Sequence, residues 1–290
     1  MSLALQIIFD ALLLGGLYAI GALGFALVWG VQNILNIAYA AMIMLGAYAA
    51  YWVWTLGVDP ILAVPIVMAM MFVVGVLLQR FLFDYVILGP HSLSIALTYG
   101  VNLILIGLAL YLFTAEYRSI ALPDHLRGSI DLGGAHLTNA RIATIAIAVV
   151  LTASVWWLMD RTALGAAIRA TRMDLEAARL VGIRPRLIYN IVAGISGALA
   201  GAMGALLAVI HSVFPAMGDH QLIQILIVLV LGGLGSMVGP LIGALLLGLV
   251  SSVVTAIWGG TYAVLAGTVL VLLVLTFRPS GLMGRKFYEA

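Results

Sequence analysis

The sequence contains no cysteine and little charge of either sign. Without cysteine, the chain cannot form disulfides, thiolate metal sites or a cysteine nucleophile. Only 8% of its residues are Asp, Glu, Lys or Arg, whereas an ordinary globular domain carries about 25%. A water-soluble fold could not cover its surface with so few charges, so that class of protein is excluded.

Lysine is almost absent as well, which excludes ATP hydrolysis by this chain. Its one lysine, Lys286, lies near the C-terminus, and no glycine-rich phosphate loop precedes it. The H-E-x-x-H motif is absent, and no G-x-S-x-G motif lies at a predicted strand-to-helix turn. We therefore predict no catalytic residue, no metal site and no cofactor bound by this chain. A membrane-embedded enzyme or scaffold has correspondingly little support.

Long apolar runs are what the sequence does contain. Apolar residues make up 64% of the 290 residues, and the mean hydropathy is +1.21. About 20 such residues cross the hydrocarbon core of a bilayer. The runs predict an all-α polytopic membrane protein, a single domain over 1–290 with eight or nine transmembrane or re-entrant helices. The predicted helices cover 5–30, 37–56, 61–83, 93–114, 141–158, 188–211, 221–234, 238–257 and 261–277.

The predicted helix at 221–234 is short for a membrane span. The glycine-rich segment Gly232–Ser236 separates it from the next apolar run. It is therefore either a short span or one half of a re-entrant hairpin. Both alternatives leave the later topology unchanged, because the two pieces together return the chain to the side that it left.

The positions of Lys and Arg predict the orientation, because cytoplasmic segments are enriched in both. With the N-terminus outside and the C-terminus cytoplasmic, ten of the 13 basic residues are cytoplasmic and three are external. The external ones are Arg118, Arg127 and Arg141. The cytoplasmic ones are Arg80, Arg161, Arg169, Arg172, Arg179, Arg184, Arg186, Arg278, Arg285 and Lys286.

Two hydrophilic segments interrupt the apolar runs. The external one, about 115–140, is predicted to be a surface loop or a short amphipathic piece. The cytoplasmic one, about 159–187, is predicted to form a helix from Thr162 to Leu180 that Gly182 and Pro185 end. Its apolar face would consist of Leu164, Ile168, Thr171, Leu175 and Ala178, and its charged face of Arg169, Arg172, Glu176 and Arg179. On these residues alone, the helix either lies on anionic lipid or docks on a cytoplasmic protein.

Polar residues within or beside the predicted spans are candidates for a solute path. The candidates are Asn33, Asn36, Tyr39, Thr98, Asn102, Gly233, Gly235 and Ser236. The last three are included because irregular backbone at membrane depth persists only where protein buries it or where it lines a cavity. Neutral polar side chains suit a zwitterionic or uncharged solute, and they suit interhelical hydrogen bonds equally well.

Every Asp and Glu lies at the edge of a predicted span or in a loop. Asp10, Asp59, Asp84 and Asp219 are the nearest to the membrane, and each is interpreted as an interfacial residue rather than part of a proton relay. Carriers driven by protons or sodium usually place such residues within the membrane. The energy for transport would therefore come from another polypeptide, or the solute would flow downhill.

Several sequence blocks follow one another along the chain. They are Gly16–Ala19, Leu35–Ala38, Met44–Tyr48, Gly232–Ala244 and Phe277–Leu282, together with Glu176–Gly182, which reads E-A-A-x-x-x-G. Taken in the order in which they occur along the chain, these blocks resemble the permeases of branched-chain amino-acid ABC importers, specifically the LivH type. The E-A-A-x-x-x-G block looks like the loop by which such permeases engage their ATPases. The resemblance implies that Arg169, Asp174, Glu176, Ala177, Ala178 and Gly182 couple this chain to an ATPase.

The resemblance also implies a location and a set of partners. The chain would be a multi-pass permease domain of the bacterial plasma (inner) membrane, in contact with lipid and with no nucleic acid. Its partners would be a second permease subunit (LivM-like) or a homodimer mate, two ABC ATPase subunits that bind ATP and Mg, and an extracytoplasmic solute-binding protein. The solute would be a branched-chain or related amino acid.

One block departs from the family's usual pattern. Where Asn-Phe-Ala-His-Gly is expected, this chain has Asn36-Ile37-Ala38-Tyr39-Ala40. If this segment lines the solute path, the cargo differs from leucine, isoleucine and valine, and other amino acids, amides, urea or aromatic acids become candidates. The alternative function is an ATP-independent channel or facilitator for a small neutral solute, in which the helix within 160–186 would only lie on lipid.

Overall fold

Helices account for the apolar runs of the sequence. The computed structural model describes residues 2–87, 89–132, 135–233 and 238–283. In chain order the helices are α1 (Ser2–Gln32), α2 (Tyr39–Thr55), α3 (Pro60–Phe81), α4 (His91–Phe113), α5 (Asp124–Arg127), α6 (Asn139–Arg161), α7 (Ala163–Met173), α8 (Leu175–Leu180), α9 (Pro185–Ile210), α10 (Met217–Gly232), α11 (Gly239–Trp258) and α12 (Gly260–Phe277). Phe83–Tyr85 forms a single 3-10 turn.

The helices confirm an all-α polytopic membrane protein. Within the described ranges, seven helices are long and apolar enough to cross a membrane, namely α1, α3, α4, α6, α9, α11 and α12. With α2 and α10, which have 17 and 16 residues, they occupy the nine segments in which the sequence predicted apolar helices. α10 is therefore an apolar helix that is shorter than the usual span.

The segment 115–140 holds more structure than the predicted loop. It contains α5 and a hairpin of two antiparallel strands, β1 (Ser129–Leu132) and β2 (Ala135–Thr138), with Ser129 opposite Thr138. The sequence carried a signal for this hairpin, because two glycines between short runs are typical of a two-residue hairpin turn. The prediction of a loop or amphipathic piece missed it.

The chain divides into two compact units. Unit 1 comprises Met1–Ala26, Ala121–Val150 and Ile223–Ala290, and unit 2 comprises Leu27–Ile120 and Leu151–Leu222. Helices α1, α6 and α10 each contribute residues to both units. The two units use small residues in the same way, to bring helix backbones close together.

In unit 2, α9 packs closely against α2 and α3 because glycines line its contact surfaces. A methyl group on Gly46 of α2 would lie 2.5 Å from the Gly201 Cα of α9, and one on Gly204 would overlap the Ile43 carbonyl oxygen. On α3, a methyl group on Gly75 would overlap the Ala193 carbonyl oxygen. Small residues of this kind allow helices to associate within a membrane, where water drives no apolar contact.

In unit 1, α11 packs on the N-terminal part of α1. A methyl group on Gly248 would lie 2.6 Å from the Ala11 carbonyl oxygen, and the Ser252 hydroxyl donates a 2.8 Å hydrogen bond to the Ile7 carbonyl oxygen. The Asp10 carboxylate pairs with Arg141 at 2.8 Å. This ion pair places the start of α1 and the start of α6 at the same end of unit 1.

The chain beyond α12 folds back onto the end of α10, also within unit 1. The Leu282 amide donates to the Leu231 carbonyl oxygen at 2.9 Å, and the Met283 amide donates to the Gly232 carbonyl oxygen at 3.0 Å. Gly281 has φ +77, and a methyl group on it would lie 2.6 Å from the Gly233 Cα. The last carbonyl groups of α10, which have no partner within the helix, are thus satisfied by a distant part of the chain.

Candidate functional site

The hydrophilic segment at 159–187 forms two short helices instead of one. The prediction of a continuous helix from Thr162 to Leu180 was wrong, because the backbone leaves the helical region at Asp174, with φ −154 and ψ 113. The Asp174 carboxylate accepts hydrogen bonds from the amides of Glu176 and Ala177 at 2.9 and 3.0 Å. Asp174 therefore caps the start of α8. We call Ala163–Leu180, which contains α7 and α8, the α7–α8 segment.

The predicted apolar face of this segment does lie inward. Ile168, Thr171 and Ala178 are buried, whereas Leu164 and Leu175 are half-buried. The four residues of the predicted charged face are exposed: Arg169, Arg172, Glu176 and Arg179. The predicted inward-facing residues remain inward on both sides of the break at Asp174, because α7 and α8 both pack on α9.

Contacts with neighbouring elements fix the start of the segment. The Arg169 guanidinium donates a hydrogen bond to the Met159 carbonyl oxygen near the end of α6. The Thr162 hydroxyl accepts from the Gly165 amide at 3.1 Å and caps α7. A cation beside the last carbonyl groups of a helix is stabilising. Arg169 therefore holds α7 against the end of α6.

The end of α8 is a Schellman motif. The Gly182 amide donates to the Arg179 carbonyl oxygen at 3.0 Å, and the Ile183 amide donates to the Ala178 carbonyl oxygen at 3.0 Å. Gly182 has φ +85, a conformation that glycine adopts without a steric penalty. No described atom of the chain lies within 4 Å of where a Gly182 side chain would begin. The space beside Gly182 is thus open.

Large apolar side chains are exposed around this open space. Leu180 and Val181 are 88% and 76% exposed, and Met173 is 85% exposed. Beside them lies a cavity of about 650 Å³, lined by Asp84, Ile87, Leu175, Arg179, Gly182, Ile183, Arg184, Pro185, Arg186 and Tyr189. Apolar patches exposed beside polar residues mark surfaces that bind a protein or a membrane.

Two of the residues proposed for the solute path, Thr98 and Asn102, lie on α4. Both are buried together with Ser94, and because the three residues are spaced four apart they share one face of the helix. The Thr98 hydroxyl donates to the Leu35 carbonyl oxygen at 3.0 Å. The Asn102 amide oxygen accepts from the Ala41 amide at 3.0 Å. This face of α4 therefore holds the irregular stretch that precedes α2 and the first turn of α2.

The remaining candidates are in different environments. Asn36 is buried, and no described residue donates to its side-chain oxygen. Tyr39 is fully buried, whereas Asn33 is exposed and has φ +54. Gly233 is buried at the end of α10 with φ +92. The two other candidates, Gly235 and Ser236, lie outside the described residues.

Asp219 was not among the path candidates, and the structure places it beside them. Its carboxylate accepts a hydrogen bond from the Asn102 side-chain amide at 3.3 Å. Asn102 is in the middle of α4, so Asp219, which the sequence predicted to be interfacial, lies beside the middle of an apolar helix. The sequence did not show this contact because Asp219 is in the first turn of a short helix, and hydropathy alone does not show which residues such a helix meets.

Comparison with known proteins gives matches over nearly the whole chain. The model of the family described as branched-chain amino acid transport system / permease component matches residues 7–277. The high-affinity branched-chain amino acid transport system permease protein BraD of Pseudomonas aeruginosa is 30% identical, over 98% of this chain and 97% of that protein. The corresponding permease protein LivH of Escherichia coli (strain K12) is 26% identical over the same shares.

A solved structure also resembles the fold. PsaBC from Streptococcus pneumoniae in complex with Fab matches with a TM-score of 0.52 at 14% identity, over 97% of this chain and 93% of that chain. At this identity the match concerns the fold alone. Structure and sequence comparisons thus cover the same length of chain.

Proposed function

Because the chain belongs to the family of branched-chain amino acid transport permease components, as its sequence predicted, we propose that it is the transmembrane subunit of an ATP-driven importer for branched-chain or related amino acids. It receives the solute from an extracytoplasmic binding protein and lies in the bacterial inner membrane. Separate ATPase subunits bind ATP and Mg and dock on the α7–α8 segment. A second permease subunit, or a second copy of this chain, completes the pathway.

The observation that carries the ATPase-docking proposal is the exposed end of α8. Leu180 and Val181 project from a capped helix end, beside an open space at Gly182. Outside the apolar spans, such side chains gain free energy when a partner covers them. The small exposed side chain of Ala177 and the absence of one at Gly182 let the helix enter a partner's cleft.

A short connection would transmit movement of α8 to the spans of unit 2. Only Val181–Arg184 separate α8 from α9, and α9 packs through glycine contacts on α2 and α3. A closely packed helix cannot shift without moving its neighbours. We propose that ATP-driven closure of the ATPases pulls on Glu176–Gly182 and moves α9 against α2 and α3, which changes access to the path.

The path itself is proposed to run past the polar face of α4. Thr98 and Asn102 hold the irregular chain before α2, which contains Asn33 and Asn36, and the first turn of α2, which contains Tyr39. Gly233, Gly235 and Ser236 are proposed to border the path where α10 ends. Neutral polar groups of this kind suit a zwitterionic solute, which needs partners for both of its charges.

The test is mild detergent extraction of the tagged chain from its native membrane, followed by quantitative mass spectrometry of co-purifying proteins. Stoichiometric P-loop ATPases should accompany the wild type and be lost from Gly182→Trp. The matched control is Gly57→Trp, since Gly57 also has positive φ and open space around it but lies between α2 and α3. This control should retain the ATPases.

Two results would count against the proposal. Retention of the ATPases by Gly182→Trp would remove the α7–α8 segment as their docking site. A wild-type chain that purifies alone and takes up solute into liposomes without ATP would favour the channel.

A further inference from the structure

Asp219 is a carboxylate at the middle depth of the membrane. The apolar span of α4 covers Ser92–Phe113, and Asn102 lies near its centre. At 1.5 Å per residue, Asn102 is about 15 Å from either end, half of a hydrocarbon core of about 30 Å. The Asp219 carboxylate is 3.3 Å from the Asn102 side-chain nitrogen, so it lies at the same depth.

The chain around Asp219 is consistent with this depth. Val213 pairs with Arg118, just beyond the end of α4, through hydrogen bonds of 2.7 and 3.0 Å. The chain then packs against the start of α2, since a methyl group on Gly218 would overlap the Ala40 carbonyl oxygen. The Met217 amide then donates to the Phe214 carbonyl oxygen at 3.1 Å, which closes a turn, and α10 begins there with Asp219 in its first turn.

The charge of Asp219 is not neutralised within the described part of the chain. Its one hydrogen bond there comes from Asn102, and it forms no ion pair with a described basic side chain. The side chain is exposed. A carboxylate can accept about four hydrogen bonds, so most of its acceptor positions have no donor among the described residues. Charged residues at this depth face a bundle interior or a water-filled cavity, and they mark solute pathways.

We propose that Asp219 binds the α-ammonium group of the transported amino acid, with Asn102 as the residue that positions its carboxylate. This inference rests on the proposed transport of amino acids. An ammonium group carries three donors and a positive charge, which match the free acceptors and the charge of the carboxylate. Asn102 also holds the first turn of α2 through Ala41, so it links the site to the start of that helix.

The test uses the complete importer with its binding protein, reconstituted in proteoliposomes with ATP, and the probe is the radiolabelled amino acid that the wild type takes up best from a panel that includes leucine. Asp219→Asn keeps the shape and can still accept the hydrogen bond from Asn102, but it removes the charge. The maximal uptake rate should fall at least about tenfold. ATP hydrolysis stimulated by the binding protein should stay within about twofold, because no hydrogen bond or ion pair among the described residues joins Asp219 to the α7–α8 segment.

Two further variants separate binding from structure. Asp219→Glu retains the charge and should retain uptake within about threefold. Asp124→Asn is the matched control, because it removes a carboxylate that is exposed and paired with Arg127 at 3.7 Å outside the spans. It should transport the same amino acid like the wild type.

Three outcomes would overturn the assignment. Unchanged uptake by Asp219→Asn would show that no ammonium group binds there. Parallel loss of uptake, stimulated ATP hydrolysis and complex assembly in Asp219→Asn, with all three retained in Asp219→Glu, would assign the carboxylate to a basic residue of the partner permease. If the wild-type importer transports only a solute without an ammonium group, the proposed amino-acid transport itself fails, and this is visible before any variant is tested.

Discussion

Helices α9 and α12 have similar hydropathy but opposite surroundings. Of the 18-residue stretch that identifies each as a span, 89% is buried in α9 and 6% in α12. The difference lies in the small residues. Gly194, Gly197, Gly201 and Gly204 of α9 all meet neighbouring atoms more closely than a methyl group allows, whereas most of α12 presents Leu and Val outward.

The comparison separates two properties that sequence reading tends to merge. Hydropathy shows that a segment belongs in a membrane, but it does not show whether lipid or protein will surround it. Because lipid is as apolar as leucine, close backbone approach determines which helix becomes central. The predictions below test this, from the largest expected effect to the smallest.

The largest effect is expected from Gly204→Ala in α9. The added methyl group would overlap the Ile43 carbonyl oxygen, and forced separation of α9 from α2 should cost about 3 kcal/mol. The control is Gly107→Ala in α4, where no atom lies within 4 Å and alanine favours the helix. Thermal unfolding of the purified chain in detergent measures both. Equal stability of the two variants would contradict the role of close approach.

A smaller effect is expected when a threonine hydroxyl is removed from a buried position. Thr98→Val removes the hydrogen bond to the Leu35 carbonyl oxygen, at an expected cost of about 1–2 kcal/mol. Thr268→Val in α12 removes only a bond within the helix, to the Val264 carbonyl oxygen, and Thr268 is exposed. Denaturation midpoints should therefore fall for Thr98→Val and hardly change for Thr268→Val.

Outside the spans, α8 depends on its cap more than on packing. Asp174→Ala removes the acceptor for the amides of Glu176 and Ala177, which should destabilise this helix by about 1 kcal/mol. Amide hydrogen exchange at these two residues should accelerate, while exchange within α9 stays unchanged. Asp174→Asn retains a capping oxygen and should exchange like the wild type. A change that spreads into α9 would show that α8 and α9 unfold together.

The smallest effect is expected on the outward face of α12. Leu272 is 61% exposed, so Leu272→Ala should change the stability of the isolated chain by less than about 0.5 kcal/mol. The same measurement on the complete importer shows whether a partner covers this face. A loss above about 1 kcal/mol in the isolated chain would contradict the exposure of α12.

Much of the fold could be predicted because long helices leave a strong sequence pattern. The predicted helix at 238–257 matches α11 at Gly239–Trp258, and the one at 261–277 matches α12. The apolar face of the α7–α8 segment was also predicted, since it repeats every three or four residues. These features depend on local sequence alone.

The errors concern features that depend on one side chain or on distant contacts. The break in the predicted helix comes from the Asp174 carboxylate, which competes with the helical path of the backbone. The hairpin strands, β1 and β2, lie in a segment of low apolar periodicity and have only four residues each. The position of Asp219 beside α4 follows from its contact with Asn102, 117 positions away, and no local pattern encodes such a contact.

The return of Leu282 and Met283 to the end of α10 bears on how the protein is made. Chains are synthesised from the N-terminus, so α10 is complete well before the residues that bond to its last carbonyl groups have been added. Until then, those carbonyl groups need water, lipid headgroups or the insertion machinery as temporary partners. The end of α10 is therefore among the last places to reach its native state during biosynthesis.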